Sequence, residues 1–219
     1  HASVSTLVTN MVVDNNSRIS LSNNDAGGGY NTIFGALAGA GLTNGGEEHN
    51  TFIGHNVAAT GTMTAAADFN TGVGAWVLND LTSGASNTGL GYDSLAKLTE
   101  GNSNVAVGKL ASAAITSGNE NTVVGSRALG TANTATFNVA IGGDSMFGIP
   151  TGQAVAGVVA IGLEACKGGA STTTGIDGTV AVGRAALKVL TTGANNTAIG
   201  YNALAEATTA SNNVALGYR

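Results

Sequence analysis

The residues of this chain that could support catalysis are few and scattered. Ser94 and Lys97 form a Ser-x-x-Lys pattern, but Ser94 fills the small-residue position of an ordinary repeat. The patterns of phosphate-binding loops, zinc proteases and serine hydrolases are missing from the sequence. Paired carboxylates at glycosidase spacing would need a cleft, and a repetitive rod offers none. We therefore predict no enzyme activity, no catalytic residue and no cofactor.

Histidines and acidic residues come close together at one place in the sequence, and this combination could hold a metal ion. His49 and His55 lie on either side of one repeat, close to Glu47 and Glu48. The alternative is a solvated loop, which we favour, so no metal site is predicted. Cys166 is the single cysteine, which excludes an internal disulfide. It stands where other repeats carry Leu or Met, so we expect a small core residue.

Aromatic residues beside the repeat glycines are the best candidates for recognition, since their ring faces can stack on sugars. His55, Tyr92 and Tyr201 each follow such a glycine directly, and Trp76 lies two residues after one. The alternative is that these side chains only cover the edges of the coils. We predict that any receptor contact involves these four residues, with Trp76 the strongest candidate. The longer loops nearby place a glycan contact around residues 39–80.

The composition excludes several classes of protein. The 219 residues include 34 Gly, 23 Asn and 27 Thr, with only 10% charged and 5% aromatic residues. Disordered chains are richer in charge, and a globular enzyme core needs larger side chains. The net charge of −5 gives no basic patch for nucleic acid, and no apolar run is long enough to insert into a membrane. A repetitive fold that packs small side chains remains.

A glycine preceded by a large apolar residue recurs at intervals of about 17 residues, and six of the ten intervals are identical. These repeat glycines are Gly35, Gly54, Gly74, Gly91, Gly108, Gly125, Gly142, Gly162, Gly183, Gly200 and Gly217. Asparagine stands four residues earlier in nine of the eleven units. These residues are Asn31, Asn50, Asn70, Asn87, Asn104, Asn121, Asn138, Asn196 and Asn213, whereas Val158 and Thr179 break the column.

The alternation of side chains before each glycine predicts a short β-strand. In the unit 196–200, Thr197 and Ile199 point one way, and Asn196, Ala198 and Gly200 the other. Asparagines at equivalent points of successive coils can form an amide ladder. A glycine inside such a strand indicates close approach of another backbone. The residues after the glycine are expected to make a second short segment before a polar loop.

These features predict an all-β protein, a parallel β-solenoid or β-roll over residues 31–219, with about eleven coils of about 17 residues each. Residues 1–30 are expected to form a hairpin-like lead-in, with strands in 4–13 and 18–22. The last unit stops in mid-repeat at Arg219, so we expect the polypeptide to continue. We expect a single coil to be too small to enclose much core. Three chains would then bury their Ala, Val and Ile faces together in a parallel homotrimeric fibre.

The repeats resemble those of bacteriophage tail fibres. The resemblance rests on units such as 121–129 (NTVVGSRAL) and 196–204 (NTAIGYNAL), and the segments 17–25 and 31–35 are similar to fibre sequences of marine phages. More distantly, the units resemble the β-roll heads of trimeric autotransporter adhesins. The resemblance implies a homotrimeric virion fibre segment that spaces or contributes to host attachment. Other tail or fibre proteins and a host-surface glycan would be its partners, and the alternative is an adhesin on a bacterial surface.

Overall fold

The computed structural model describes residues 11–13, 19–21, 30–43, 46–168 and 173–219, and in this part the regular structure is all β. The strands are β1 (Met11–Val13), β2 (Ile19–Leu21), β3 (Thr32–Phe34), β4 (Thr51–His55), β5 (Thr71–Ala75), β6 (Thr88–Leu90), β7 (Val105–Val107), β8 (Thr122–Val124), β9 (Val139–Ile141), β10 (Val159–Ile161), β11 (Val180–Val182), β12 (Thr197–Ile199) and β13 (Val214–Leu216).

Strands β3 to β13 form one parallel sheet in which every strand pairs with its sequence neighbours. Equivalent residues of successive repeats are partners, as in Thr51 with Thr71 and Gly54 with Gly74. The chain therefore winds as a β-solenoid of eleven turns, which confirms the predicted architecture. At about 4.8 Å for each strand, the sheet is about 50 Å long.

β1 and β2 pair in antiparallel fashion, with Val12 opposite Ser20. They lie within the two segments predicted as strands of the lead-in. The predicted turn, residues 14–17, lies outside the described residues.

The centre of each repeat strand faces the interior of its own chain, so the expectation that partner chains bury the Ala face is wrong. Ala106, Ala140 and Ala198 are completely buried, whereas Ile199 is 39% exposed. Thus the alanine column packs inside its own chain and leaves the outer face to the residues on either side of it.

The expectation that the apolar residues of the coils need partner chains to cover them is wrong for the interior, because the stacked coils of one chain enclose a core. A continuous column of fully buried side chains fills the interior, and it includes Leu78, Leu81, Leu95, Leu98 and Ile115. Leu78 and Leu95 occupy the fourth position after the repeat glycine, while Leu81, Leu98 and Ile115 occupy the seventh. Each coil contributes only a few such residues, but the stacked coils bury them against one another.

The segment after each glycine is a turn and forms no second strand. Its second and fourth residues adopt positive φ, for example Trp76 at 62° and Leu78 at 51°. Left-handed backbone is unfavourable for such side chains. Here it turns the chain so that the fourth residue enters the core.

Candidate functional site

The buried asparagine column holds the strands in register. The amide oxygen of Asn87 accepts hydrogen bonds from the backbone N–H of Asn104 (2.9 Å) and from its side-chain amide (3.1 Å). The Asn104 amide also donates to the carbonyl of Gly118 at 2.8 Å. The same pattern links Asn104 to Asn121 and Asn121 to Asn138. This ladder satisfies buried polar groups and fixes each strand directly over the last.

The repeat glycines allow the backbones of successive coils to touch. Gly125 has φ of +140°, and a Cβ placed there would lie 2.5 Å from the carbonyl oxygen of Gly142. The same collision with the next coil would occur at Gly108, where the built Cβ lies 2.7 Å from the Gly125 oxygen. The close approach predicted from the glycine column is therefore to the neighbouring coil of the same chain.

The outer sheet face is not covered by the described part of the chain, and its side chains are exposed or half-buried. It carries two columns, the third residue and the first residue before each repeat glycine. The first column contains only Thr and Val, and the second only Phe, Ile, Val and Leu. Phe34, Leu90, Val124 and Leu216 are among its exposed members. No charged side chain interrupts this face from β3 to β13.

Two further columns border the outer sheet face, and we call them its flanks. The leading flank is the fifth residue before each repeat glycine, and the trailing flank is the residue directly after it. The leading flank contains Tyr30, His49, Phe69, Ser86, Ser103, Glu120, Phe137, Gly157, Gly178, Asn195 and Asn212. The trailing flank contains Ala36, His55, Ala75, Tyr92, Lys109, Ser126, Gly143, Leu163, Arg184, Tyr201 and Tyr218.

Aromatic rings stack along both flanks. On the leading flank, His49 lies between Tyr30 and Phe69, with ring centroids 5.1 and 5.0 Å away. On the trailing flank, the rings of Tyr201 and Tyr218 are 5.4 Å apart and nearly parallel. His49 has a ring on both of its faces, whereas the end rings Tyr30 and Tyr218 remain 79% and 71% exposed. This arrangement reduces the area of the His49 ring that a sugar could stack on.

The four predicted receptor residues do not form one pocket. His55 and Trp76 meet edge to face at 5.7 Å, and Trp76 is 38% exposed. Tyr92 and Tyr201 lie six coils apart, which is about 29 Å along the solenoid. All four are exposed, so a contact at His55 and Trp76 stays a prediction. Sequence reasoning missed the stack of Tyr30, His49 and Phe69, although their constant distance from the next glycine was a usable signal.

Charged side chains form a ladder across the coils near the longer loops. Arg127 donates to Asp144 at 2.7 Å, and Lys167 and Lys188 each lie 2.8 Å from a carboxylate oxygen of Glu164. Hydrogen bonds from Lys167 and then Lys188 lower the pKa of Glu164 to about 2. Each carboxylate of the ladder lies beside at least one cation, which indicates a stabilising role for these groups.

No cluster of three potential metal ligands occurs among the described residues. The carboxylate of Glu48 is 3.8 Å from His49, whereas Glu47 is buried and accepts a hydrogen bond from the Thr43 hydroxyl at 2.6 Å. Cys166 is fully buried, and burial raises the pKa of its thiol to about 12. Ser94 is also buried and donates to the carbonyl of Ala106 at 2.9 Å.

Two cavities lie outside the sheet face, and neither forms a candidate site. A cavity of about 580 Å³ borders Tyr201, Leu204 and Arg219, over the last coil. A cavity of about 360 Å³ lies between Phe147 and Gly168, beside a segment outside the described residues. Within the described part of the chain, no helix has the length and apolar character needed to cross a bilayer.

Comparisons with known proteins provide no family for this chain. No family model matches it. No curated protein and no solved structure is significantly similar to it. A functional proposal for this chain is therefore argued from the outer sheet face and its flanks.

Proposed function

We propose that this chain is a segment of a homotrimeric bacteriophage tail fibre that spaces or contributes to host attachment. The observation that supports the proposal is the uncharged outer sheet face, which runs along the whole solenoid. Two outward residues on each of eleven strands cover about 50 by 14 Å, or about 700 Å². Six of the eleven residues in the first column are Thr, so only part of this area is apolar, and that part is comparable with the roughly 300–600 Å² of the largest apolar patch on a typical monomer.

A parallel assembly of identical chains covers this face economically. Every coil presents one Thr or Val and one large apolar residue, so parallel copies bring the apolar columns together at every level. An area of about 700 Å² also approaches the roughly 800 Å² for each partner that is common in stable interfaces. Three copies around an axis give a closed, elongated structure. A stiff rod of this kind suits a fibre whose role is mechanical spacing.

Light scattering on the purified segment tests the assembly. We expect about three times the chain mass of 21.3 kDa. Val124→Lys places a charge in the outer sheet face and should dissociate the trimer. Ser117→Lys, at an exposed loop residue outside the sheet face and its flanks, is the matched control for added charge and should retain it. A folded monomer for the parent chain would overturn the proposal.

The surrounding genes test the virion role separately. A tail-fibre segment should be encoded beside other structural genes of a tailed phage, and antibodies against it should label virions. A parent gene that ends in an outer-membrane anchor would instead assign the trimer to a bacterial surface adhesin.

A further inference from the structure

Side-chain size on the two flanks is complementary within each coil. Where the leading flank is large, as at Phe69 and Phe137, the trailing residue of that coil is Ala75 or Gly143. Where the trailing flank is large, as at Leu163, the leading residue is small, here Gly157. No coil carries Gly, Ala or Ser on both flanks, and the second coil alone has two residues of equal size, both histidine.

This relation cannot arise from contact within one chain. The paired positions are six residues apart, at opposite ends of the strand. The strand alone spans about 13 Å between Thr51 and His55, and the leading flank lies two residues before it. Their large members are also exposed: Phe137 is 57% exposed and Leu163 is 48% exposed. A large side chain on one flank therefore leaves the opposite flank of its own chain untouched.

We infer that the leading flank of one copy packs against the trailing flank of its neighbour, level by level, in a parallel in-register assembly. This inference rests on the proposed trimer and specifies how its chains meet. Rotation about an axis along the solenoid brings opposite flanks of adjacent copies together. The large side chain of each coil then fills the space beside the small one, which gives the close packing that interfaces require.

The register follows from the same pattern. A shift of one coil in one direction places Gly143 opposite Gly157 and leaves a void. A shift in the other direction places Phe137 opposite Leu163 and overfills the boundary. The unshifted arrangement avoids both the void and the overfilling. The flanks therefore determine the register between neighbouring chains, which the uniform outer sheet face does not specify.

A double-mutant cycle in the purified segment tests the inference. The variants are Phe137→Gly, Gly143→Phe and the two together. Gly143 can accept a side chain within its own chain after a small shift of Leu163, because an added Cβ meets the end of that exposed side chain (Cδ1) at 3.3 Å and the Ser126 carbonyl oxygen only at 4.0 Å. Each single change should lower the Tm of the trimer by about 5 °C or more. The combined variant should recover most of that loss, because the large and small residues have only exchanged flanks.

The control combines Gly143→Phe with Phe69→Gly, which lies on a different level and should give no recovery. A second measurement uses cysteine pairs. Phe137→Cys with Gly143→Cys should oxidise to covalent dimers and trimers, whereas Phe69→Cys with Gly143→Cys should not. A disulfide within one chain is excluded because the two flanks lie at opposite ends of the strand, which by itself spans about 13 Å in β4, and Cys166 is buried.

The outcomes separate this inference from the proposed function. Additive losses of Tm without level-specific cross-links, in a chain that is still trimeric, would overturn the flank contact alone. A monomeric parent chain would overturn both. Recovery in the double variant together with cross-links for the matched pair would support both.

Discussion

At the scale of single residues, the fold depends on two kinds of position, the repeat glycines and the buried asparagines, where the backbone geometry requires that residue type. The repeat glycines combine positive φ with backbone contact between coils, and both conditions exclude a Cβ. The asparagines supply an acceptor and two donors in the buried space between strands, as at Asn104. Val158 still donates its backbone N–H to Asn138 at 2.9 Å, so the ladder ends there without leaving that oxygen unpaired.

Gly125→Ala should strongly destabilise the protein. The new Cβ would lie 2.5 Å from the carbonyl oxygen of Gly142, and φ of +140° would be strained for alanine. We expect a loss of about 2–4 kcal/mol in the free energy of unfolding for each chain. Chemical denaturation of the two proteins measures it. Gly143→Ala is the control, since φ is not positive there and it should change stability by less than about 1 kcal/mol. Equal losses for both would show that the contact between coils is unimportant.

At the scale of the coil, one short strand and one left-handed turn have different structural roles. The strand supplies parallel pairing, and the turn directs apolar side chains inward at a cost in backbone strain. Ionic contacts add stability where the loops are longest. Glu164 is about a fifth exposed and receives Lys167 from its own coil and Lys188 from the next. It therefore ties two adjacent coils together.

The Glu164 contacts predict a pH dependence of stability. The pKa of this carboxyl is about 2 in the folded protein and about 4.5 without its partners. A lowered folded pKa means that the contribution is fully present above pH 4.5 and is lost as the pH falls towards 2. Thermal melting between pH 6 and 2 should therefore show a smaller loss of Tm for Glu164→Gln than for the parent. The control Glu206→Gln, at an exposed residue, should retain the parent's pH profile. Parallel profiles for all three would contradict this assignment.

At the scale of the whole molecule, the solenoid is a stack of nearly equivalent units. Each coil contacts its neighbours above and below, so stability is close to a sum of coil and interface contributions. The sheet has one uncharged outer face over its full length, which the proposed trimer would bury. Length can then change without a change of fold.

Removal of one whole coil should leave the assembly intact. Deletion of residues 103–119 removes one complete repeat and joins Asn102 to Glu120, which keeps the strand register and every flank pair. We expect a cooperative trimer whose Tm is within a few degrees of the parent. Deletion of residues 103–111 removes about half a coil and should abolish cooperative melting, because it displaces the turn and the loop. Light scattering and calorimetry compare the two. Similar behaviour of both deletions would show that the coil is not the unit of stability.

The sequence by itself determined the repeat, the strand positions and the asparagine and glycine columns. These features depend on a short local pattern that recurs at nearly constant spacing, and parallel in-register stacking converts it directly into columns. The alternation around Ala198 predicted that its side chain and that of Ile199 lie on opposite sides of the strand, because successive side chains alternate in direction. It did not indicate that the alanine side is the interior of the chain.

Only the tertiary structure decided how the remainder of each coil is used. Trp76 and Leu78 adopt left-handed backbone, which large side chains ordinarily avoid, so no local preference indicates the turn. That turn carries Leu78 into an interior that a single coil cannot enclose and the stack can. It also leaves the trailing flank opposite the leading one across the outer sheet face. The role of these residues is set by long-range stacking, which overrides the local preference of each one.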